Sequence, residues 1–193
     1  MAAIKKQLIA RRRPKPKLSA KRLAFLALQD QLEQRILQEQ YKSAHRLHRR
    51  ADQSDHGEAI SIRWARGRGE DLLALREFVD RHLRADWFER EAVLRDKLIR
   101  GHISLLGFHG EILVAWACKS LQDVLQNLLI HPAYRGAGIG QRAVALMAPQ
   151  IIRSKSDQST GDPESFYRRS GFIPSGKIAG RKRNINIMIA HRT

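Results

Sequence analysis

Apolar residues recur at helical spacing in the first third of the chain, from residue 19 to about residue 50. The main stripe repeats every three or four residues and consists of Phe25, Leu28, Leu32 and Ile36. A second, less regular stripe consists of Leu26, Leu37, Tyr41 and Leu47. The pattern predicts one long amphipathic helix with Ser19 as its N-cap. Three roles stay open for it: docking on its own domain, pairing with a second copy in a homodimer, or facing a nucleic acid.

After a polar linker at 51–57 the pattern becomes mixed. Alternating or continuous apolar runs predict strands over 59–65, 103–108, 111–119, 124–130, 150–155 and 184–190. Helical spacing predicts helices over 71–83, 87–100, 138–148 and 162–170. The predicted order is β-α-α-β-β-β-α-β-α-β-β, in which the strand directly after the last helix has no range of its own. This is an α/β (α+β) fold with a mixed central sheet flanked by helices. The chain therefore divides into a basic arm and helix, 1–57, and a mixed domain, 58–193.

Charge changes this picture, because the chain carries 36 Lys and Arg against 19 Asp and Glu, a net charge of +17. About half of the excess lies in residues 1–57, where two prolines disfavour a helix near the start and favour an extended arm. Basic arms of this kind lie along phosphates. We therefore expect a nucleic acid or ribonucleoprotein partner, contacted through Arg11, Arg12, Arg13, Lys15 and Lys17.

The rest of the composition restricts the cellular compartment in which we expect the protein. Cys118 is the only cysteine, so no internal disulfide forms, and its apolar neighbours indicate a buried thiol. No apolar run approaches the ~20 residues that span a bilayer, and the basic N-terminus lacks the apolar stretch of a secretion signal. We expect a cytoplasmic protein without membrane contact, and no motif indicates a metal.

Residues 128–140 carry the most specific chemistry: an apolar strand, a proline turn, Arg135 and a glycine-rich helix start. Helix N-terminal N–H groups and glycines suit a bound diphosphate. A Walker A loop is excluded because Gln141 and Arg142 follow the last glycine. A dinucleotide fingerprint, with Gly138, Gly140, Ala143 and a ribose-binding Asp157, fits the pattern, but too little chain follows to complete a doubly wound sheet.

The segment 135–140 resembles the R/Q-x-x-G-x-G/A pyrophosphate loop of the GNAT (general N-acetyltransferase) superfamily. Residues 165–172, Ser-Phe-Tyr-Arg-Arg-Ser-Gly-Phe, resemble the family's FY-x-x-x-GF block. The resemblance covers roughly residues 58–191. It implies a GNAT-like fold, acetyl-CoA or another acyl-CoA as cofactor, and N-acyl transfer. The cofactor residues that it implies are Leu128, Ile130, Arg135, Gly136, Ala137, Gly138, Ile139 and Gly140.

The resemblance also implies that Tyr167 donates a proton to the leaving thiolate, as a phenol with an ordinary pKa of about 10 can do. No carboxylate lies on the strand 124–130, where Gln126 and Asn127 take the polar positions. The nearest candidates for a general base are Asp123 and His131; otherwise water removes the proton or the acceptor arrives neutral. Thr160 and Pro163 depart from the Asn and Ala that the family often has before its tyrosine.

The acceptor would lie across the sheet from the cofactor, near the loop before Trp87 and near a second basic cluster. That cluster either grips phosphates or is a solvated turn, and consists of Arg181, Lys182 and Arg183. We expect transfer to an amine on an aminoacyl-tRNA, a nucleobase, or a ribosomal or DNA-bound protein. The alternatives are a small-molecule amine acetyltransferase with an incidental basic tail, and a catalytically silent nucleic-acid-binding module.

Overall fold

The computed structural model describes residues 19–51, 60–82, 91–154, 162–178 and 185–191, with side chains to residue 43 in the first range. The helices in these ranges are α1 Ala20–Ala51, α2 Leu72–His82, α3 Glu91–Ile99, α4 Ile139–Met147 and α5 Glu164–Arg169. The strands are β1 Arg63–Arg66, β2 His102–His109, β3 Ile112–Ser120, β4 Val124–Ile130, β5 Ile151–Ser154, β6 Phe172–Ile178 and β7 Ile185–Ala190. After α1, this order confirms the predicted α/β fold class.

The strands form one seven-stranded sheet in the order β1-β2-β3-β4-β5-β7-β6. Every neighbouring pair is antiparallel except β4 with β5, which is parallel. The pairing of β4 with β3 shifts between Cys118 and Lys119, whose partners are Asn127 and Leu125, so Gln126 is the extra residue of a bulge in the middle of β4. The sheet is therefore mixed, and its parallel pair lies near the centre.

Helices α1 and α4 cover one face of the sheet. The main apolar stripe of α1 enters the core, since Phe25, Leu32 and Ile36 pack with sheet residues, while Leu37 and Tyr41 of the second stripe stay exposed. The contacts thus place the helix on its own domain, one of its three open roles. Among the core residues on this face are Trp64, Val114, Leu125, Val144 and Ile152.

Polar contacts also join α1 to α4. The Arg35 guanidinium donates to the carbonyl oxygens of Leu146 and Met147, at 3.3 and 3.4 Å, where α4 ends. Near the middle of α4, Arg142 pairs with Glu39 at 3.0 Å. The two contacts hold the middle and the C-terminal end of α4 against α1. Arg35 there meets the negative end of the α4 dipole.

Helices α2 and α3 cover the opposite face. Their buried side chains pack on β2, β3 and β4 in a second core cluster, which includes Leu75, Phe78, Leu94, Leu98 and Trp116. No helix in the described part of the chain is long and apolar enough to cross a membrane.

Several element ends differ from the prediction. β1 begins at Arg63 rather than at residue 59, because its pairing with β2 starts at the Arg63–Phe108 pair, next to the end of β2. α5 begins at Glu164, whose N–H donates to the Asp162 carboxylate at 3.0 Å and so sets the helix start. Trp87, Asp157 and Thr160 lie outside the described residues.

Candidate functional site

β4 and β5 are paired only where they begin, and they separate towards their carboxyl ends. The first two residues of each strand pair with one another, and the Asp123 carbonyl accepts the N–H groups of Gln150 and Ile151 at 2.9 and 3.1 Å. Beyond that point β5 continues beside β7 and β4 beside β3. Among the described residues, the β5-facing edge of β4 therefore opens onto a cleft with unpaired backbone groups.

A tight turn follows the open end of β4. The His131 N–H donates to the Val114 carbonyl at 2.8 Å, and a single 3-10 turn then spans Pro132–Tyr134. The Arg135 side chain folds back, with Nε donating to the Ile130 carbonyl at 3.3 Å. Because of these contacts, the chain reverses at the end of the cleft and leads directly into α4.

Two glycines of the turn adopt backbone conformations that residues with a side chain rarely adopt. Gly136 has φ +84° and Gly138, the N-cap of α4, has φ +74°. A Cβ on either would meet no atom within 4 Å. The first helical bond runs from the Arg142 N–H to the Gly138 carbonyl at 3.0 Å. The N–H groups of residues 139–141 thus have no acceptor within the helix, and they lie at its positive end.

Gly140 has a different role, which is close packing. A Cβ there would lie 3.2 Å from two ring carbons of Phe166, so the absent side chain lets α5 approach the first turn of α4. The Phe166 and Tyr167 rings lie 5.0 Å apart. Tertiary packing therefore joins the two sequence motifs, the glycine loop and the Phe-Tyr block, at one site.

Tyr167 is the buried titratable group of this site. Its side chain is 8% exposed within the core cluster of α1 and α4, and burial raises the pKa of its phenol to about 12. A phenol with that pKa keeps its proton throughout the physiological range, so it is available as a hydrogen-bond donor.

Comparison with known proteins gives matches in structure rather than in sequence. No protein-family model and no curated protein sequence matches the chain. Among similar solved structures is the PaiA N-acetyltransferase from Thermoplasma acidophilum in complex with coenzyme A, with 17% identity, a TM-score of 0.54, and coverage of 68% of this chain and 100% of that chain. The chain has the GNAT fold.

Two further neighbours support the GNAT fold. The ribosomal-protein-S18-alanine N-acetyltransferase from Escherichia coli is 14% identical with a TM-score of 0.54, over 69% of this chain and 97% of its own. The aminoglycoside acetyltransferase AAC(6')-Ib in complex with coenzyme A is 15% identical with a TM-score of 0.52, over 68% and 95%. Since nearly all of each neighbour matches about two thirds of this chain, about a third of this chain is additional to them.

The two candidate bases lie at opposite ends of β4 within this GNAT fold. Asp123 precedes the strand, with φ +57°, and its carboxylate lies 2.5 Å from Lys119 Nζ. Burial lowers the pKa of Lys119, and the contact with Asp123 opposes that shift. His131 follows the strand, where its Nδ1 accepts the Ala133 N–H at 3.2 Å. The structure therefore brings His131, but not Asp123, to the glycine loop.

Aromatic and histidine side chains that the sequence did not indicate as site residues surround His131. The His82 ring lies 4.3 Å from it, edge to face. The Tyr134 ring lies 5.3 Å from the His131 ring, and the Tyr134 hydroxyl is 2.7 Å from His109 Nδ1. The pKa of His82 is lowered chiefly by burial, then by His131 and the nearby Arg81 and Arg135. The sequence contains only weak signals for these two histidines, because His82 continues the apolar spacing of α2 and His109 precedes a hairpin glycine.

Strand β4 carries no carboxylate, and its polar residue Asn127 is hydrogen-bonded by a side chain of α3. Lys97 Nζ donates to Asn127 Oδ1 at 2.8 Å and lies 5.5 Å from the centre of the Trp116 ring. Sequence reasoning noted Asn127 but not the lysine, because 30 residues separate them and only the packing of α3 on the sheet brings them together.

A separate groove of about 540 Å³ lies between α1 and β1. Two of its arginines have acidic partners, since Arg66 bonds Glu33 at 2.6 Å and Arg68 lies 3.9 Å from Glu70. In the described part of the chain, no group of three metal-ligating side chains lies together.

The predicted acceptor contacts lie outside the described residues. They are Arg11, Arg12, Arg13, Lys15, Lys17, Arg181, Lys182 and Arg183.

Proposed function

We propose that this chain is an acyl-CoA-dependent N-acyltransferase, with acetyl-CoA as the donor and an amine on a nucleic acid or a nucleic-acid-associated molecule as the acceptor. The observation that carries the proposal is the continuity of the β4–β5 cleft with the glycine loop. An open strand edge suits an amide-bearing arm, and the helix start beyond it suits a diphosphate. The neighbours crystallised with coenzyme A have the same fold.

The described residues fit an acyl-CoA. Backbone N–H groups of residues 136–140 and the Arg135 side chain would hold the diphosphate, and the open space at Gly136 and Gly138 admits it. The β4 backbone at Leu128 and Ile130 would pair with the pantetheine amides as a further strand does. The bound cofactor would supply an acyl group activated as a thioester.

Tyr167 would donate a hydrogen bond, and then its proton, to the departing sulfur. Its position beside the glycine loop and its protonated state support this role. For the acceptor amine, His131 and Asp123 stay the candidate bases. A neutral acceptor or a water molecule makes either of them unnecessary.

The charge of the chain supports the acceptor class. A net charge of +17 attracts polyanions, and the basic arm at residues 11–17 suits contacts to phosphates. An aminoacyl-tRNA, a nucleobase, and a ribosomal or DNA-bound protein all present amines within such a field. A cytoplasmic setting is part of this proposal, and the single, buried Cys118 agrees with it.

The decisive experiment incubates the purified protein with radiolabelled acetyl-CoA and whole lysate. We expect label in the RNA, DNA or ribonucleoprotein fraction, and much less with the Tyr167→Phe variant at equal cofactor binding. Label in free small amines would favour the small-molecule alternative. Binding of acetyl-CoA without transfer to any fraction would show a silent binding module and refute the enzyme proposal.

A second experiment tests the acceptor surface by deleting residues 1–17 and measuring binding to tRNA and duplex DNA at several salt concentrations. Removing these cations should weaken binding and flatten the slope of log K against log salt by about 0.7 to 0.9 for each phosphate that is no longer neutralised. The Arg181→Gln, Lys182→Gln, Arg183→Gln variant tests the other cluster. An unchanged slope in both variants would contradict the polyanion part of the proposal.

A further inference from the structure

A buried hydroxyl at the end of β5 has no hydrogen-bond partner among the described residues. Ser154 is 5% exposed, and its Oγ is fully enclosed. A hydroxyl buried without a partner destabilises a fold, because it loses its hydrogen bonds to water and gains none in return. Such a group calls for an explanation, for example a functional role or a partner from outside the chain such as a water molecule or an ion.

The other buried serines in the described ranges are satisfied. Ser104 Oγ donates to the Lys97 carbonyl at 3.1 Å and accepts the Trp116 indole N–H at 3.3 Å. Ser120 Oγ accepts the Gln122 N–H at 3.3 Å. The fold therefore provides partners for buried serines elsewhere, and Ser154 is the exception at the cleft.

The register places Ser154 on the wall of the cleft. Leu125 of β4 is level with Ile152 of β5, and Ser154 lies two residues further along β5, past the last residue that pairs with β4. Ser154 itself still pairs with Asn186 of β7. The strand thus stays in the sheet at Ser154, but it no longer has β4 beside it.

The Ser154 side chain also lies on the face of the sheet that carries Tyr167. Side chains alternate along a strand, so Ser154 lies on the same face as Ile152. That face carries Tyr167, Met188 and the first turn of α4 in one core cluster. The hydroxyl is accordingly on the side of the cleft where the glycine loop and Tyr167 lie.

We propose that Ser154 binds the amide-bearing pantetheine arm of the acyl-CoA, with its hydroxyl as a polar contact on the β5 side of the cleft. The inference rests on the proposed function and adds a residue to that site. A hydroxyl suits an amide because it both donates and accepts. The β4 backbone would hold one side of the arm and Ser154 the other, while the diphosphate lies beyond both at the glycine loop.

The test compares Ser154→Ala with the wild type by isothermal titration calorimetry, using coenzyme A and adenosine 3′,5′-bisphosphate, which lacks the pantetheine arm. We expect Ser154→Ala to bind coenzyme A about two- to tenfold more weakly and the bisphosphate with unchanged affinity. The melting temperature should stay the same or rise, because an unpartnered hydroxyl has been removed. Ser104→Ala is the matched control, a buried serine with partners, and should lower the melting temperature.

Each outcome decides a separate point. If the wild type fails to bind coenzyme A, the proposed function fails, and the role of Ser154 fails with it. If the wild type binds and Ser154→Ala binds equally well, the role of Ser154 is refuted while the proposed function stands. If Ser154→Ala melts earlier and loses both ligands in equal proportion, the hydroxyl is structural and the inference is overturned.

Discussion

Replacing Gly138 by alanine tests the glycine loop with the smallest possible change. Gly138 has φ +74° and ψ +1° and caps α4. A Cβ at this position would meet nothing within 4 Å, so the variant brings no steric clash with the protein. The only intramolecular penalty is the left-handed backbone itself, which costs a non-glycine residue about 1–2 kcal/mol.

The expected effect on binding is larger than the effect on stability. The added methyl group occupies the space in which a phosphate would approach the N–H groups of the first turn. Loss of one hydrogen bond to a charged group corresponds to about 1.5–3 kcal/mol. The affinity for coenzyme A should therefore fall about ten- to a hundredfold.

Gly110 provides a matched control. It has φ +58° in the β2–β3 hairpin, and a Cβ there would also meet nothing within 4 Å. Gly110→Ala should lower the free energy of unfolding by the same 1–2 kcal/mol, measured by urea denaturation, and leave the calorimetric affinity for coenzyme A unchanged. Equal affinities in the two variants would refute the assignment of the loop to the diphosphate.

Other predictions concern the core, an ion pair and the buried phenol. Leu32→Ala should lower the free energy of unfolding, measured by urea denaturation, by about 2–5 kcal/mol, because Leu32 is 2% exposed. Leu37→Ala should change it by less than about 0.5 kcal/mol, because Leu37 is 57% exposed. Equal effects of the two substitutions would mean that α1 does not dock as described. Glu39→Gln removes the partly exposed ion pair with Arg142 and should lower the free energy of unfolding by at most about 1 kcal/mol in low salt and by less in 1 M salt. A larger decrease that does not depend on salt would contradict a simple ion pair. For Tyr167, the folded pKa of about 12 lies above the ordinary 10.0, so the unfolded state loses its proton first as the pH rises. Its contribution is complete below pH 10 and should fall by up to about 1.4 kcal/mol per pH unit between pH 10 and about pH 12; denaturation of Tyr167→Phe across that range should lack this component, and an identical pH slope would show that the phenol is not buried.

Local features of the site could be predicted because they depend on residues adjacent in sequence. The glycines at 136–140 indicated a glycine-rich helix start, and Gly136 and Gly138 adopt positive φ there. The spacing of Phe25, Leu32 and Ile36 indicated one apolar helix face, and that face is buried. Periodicity indicates that a helix has an apolar face, but it does not indicate which element covers that face. The docking of α1 beside α4 is therefore seen only in the structure.

Long-range features of the site could not be predicted in this way. Asp123 and His131 are both next to the same strand in sequence, but a strand of seven residues separates them, and only His131 reaches the loop. Lys97 and Asn127 meet only because α3 crosses the sheet. No local pattern contains these distances, since they follow from how separate elements pack.

By itself, the sequence determined the order of elements, the glycine loop and the Phe-Tyr block, because backbone preference and apolar spacing are local properties. The tertiary structure decided that β4 and β5 separate, that Gly140 admits Phe166 next to the loop, and that the Ser154 hydroxyl is enclosed on the wall of the cleft. These features arise from strand pairing and side-chain packing between residues that are distant in the chain. Pairing partners and burial are properties of the assembled fold, so the shape of the cleft could be read only there.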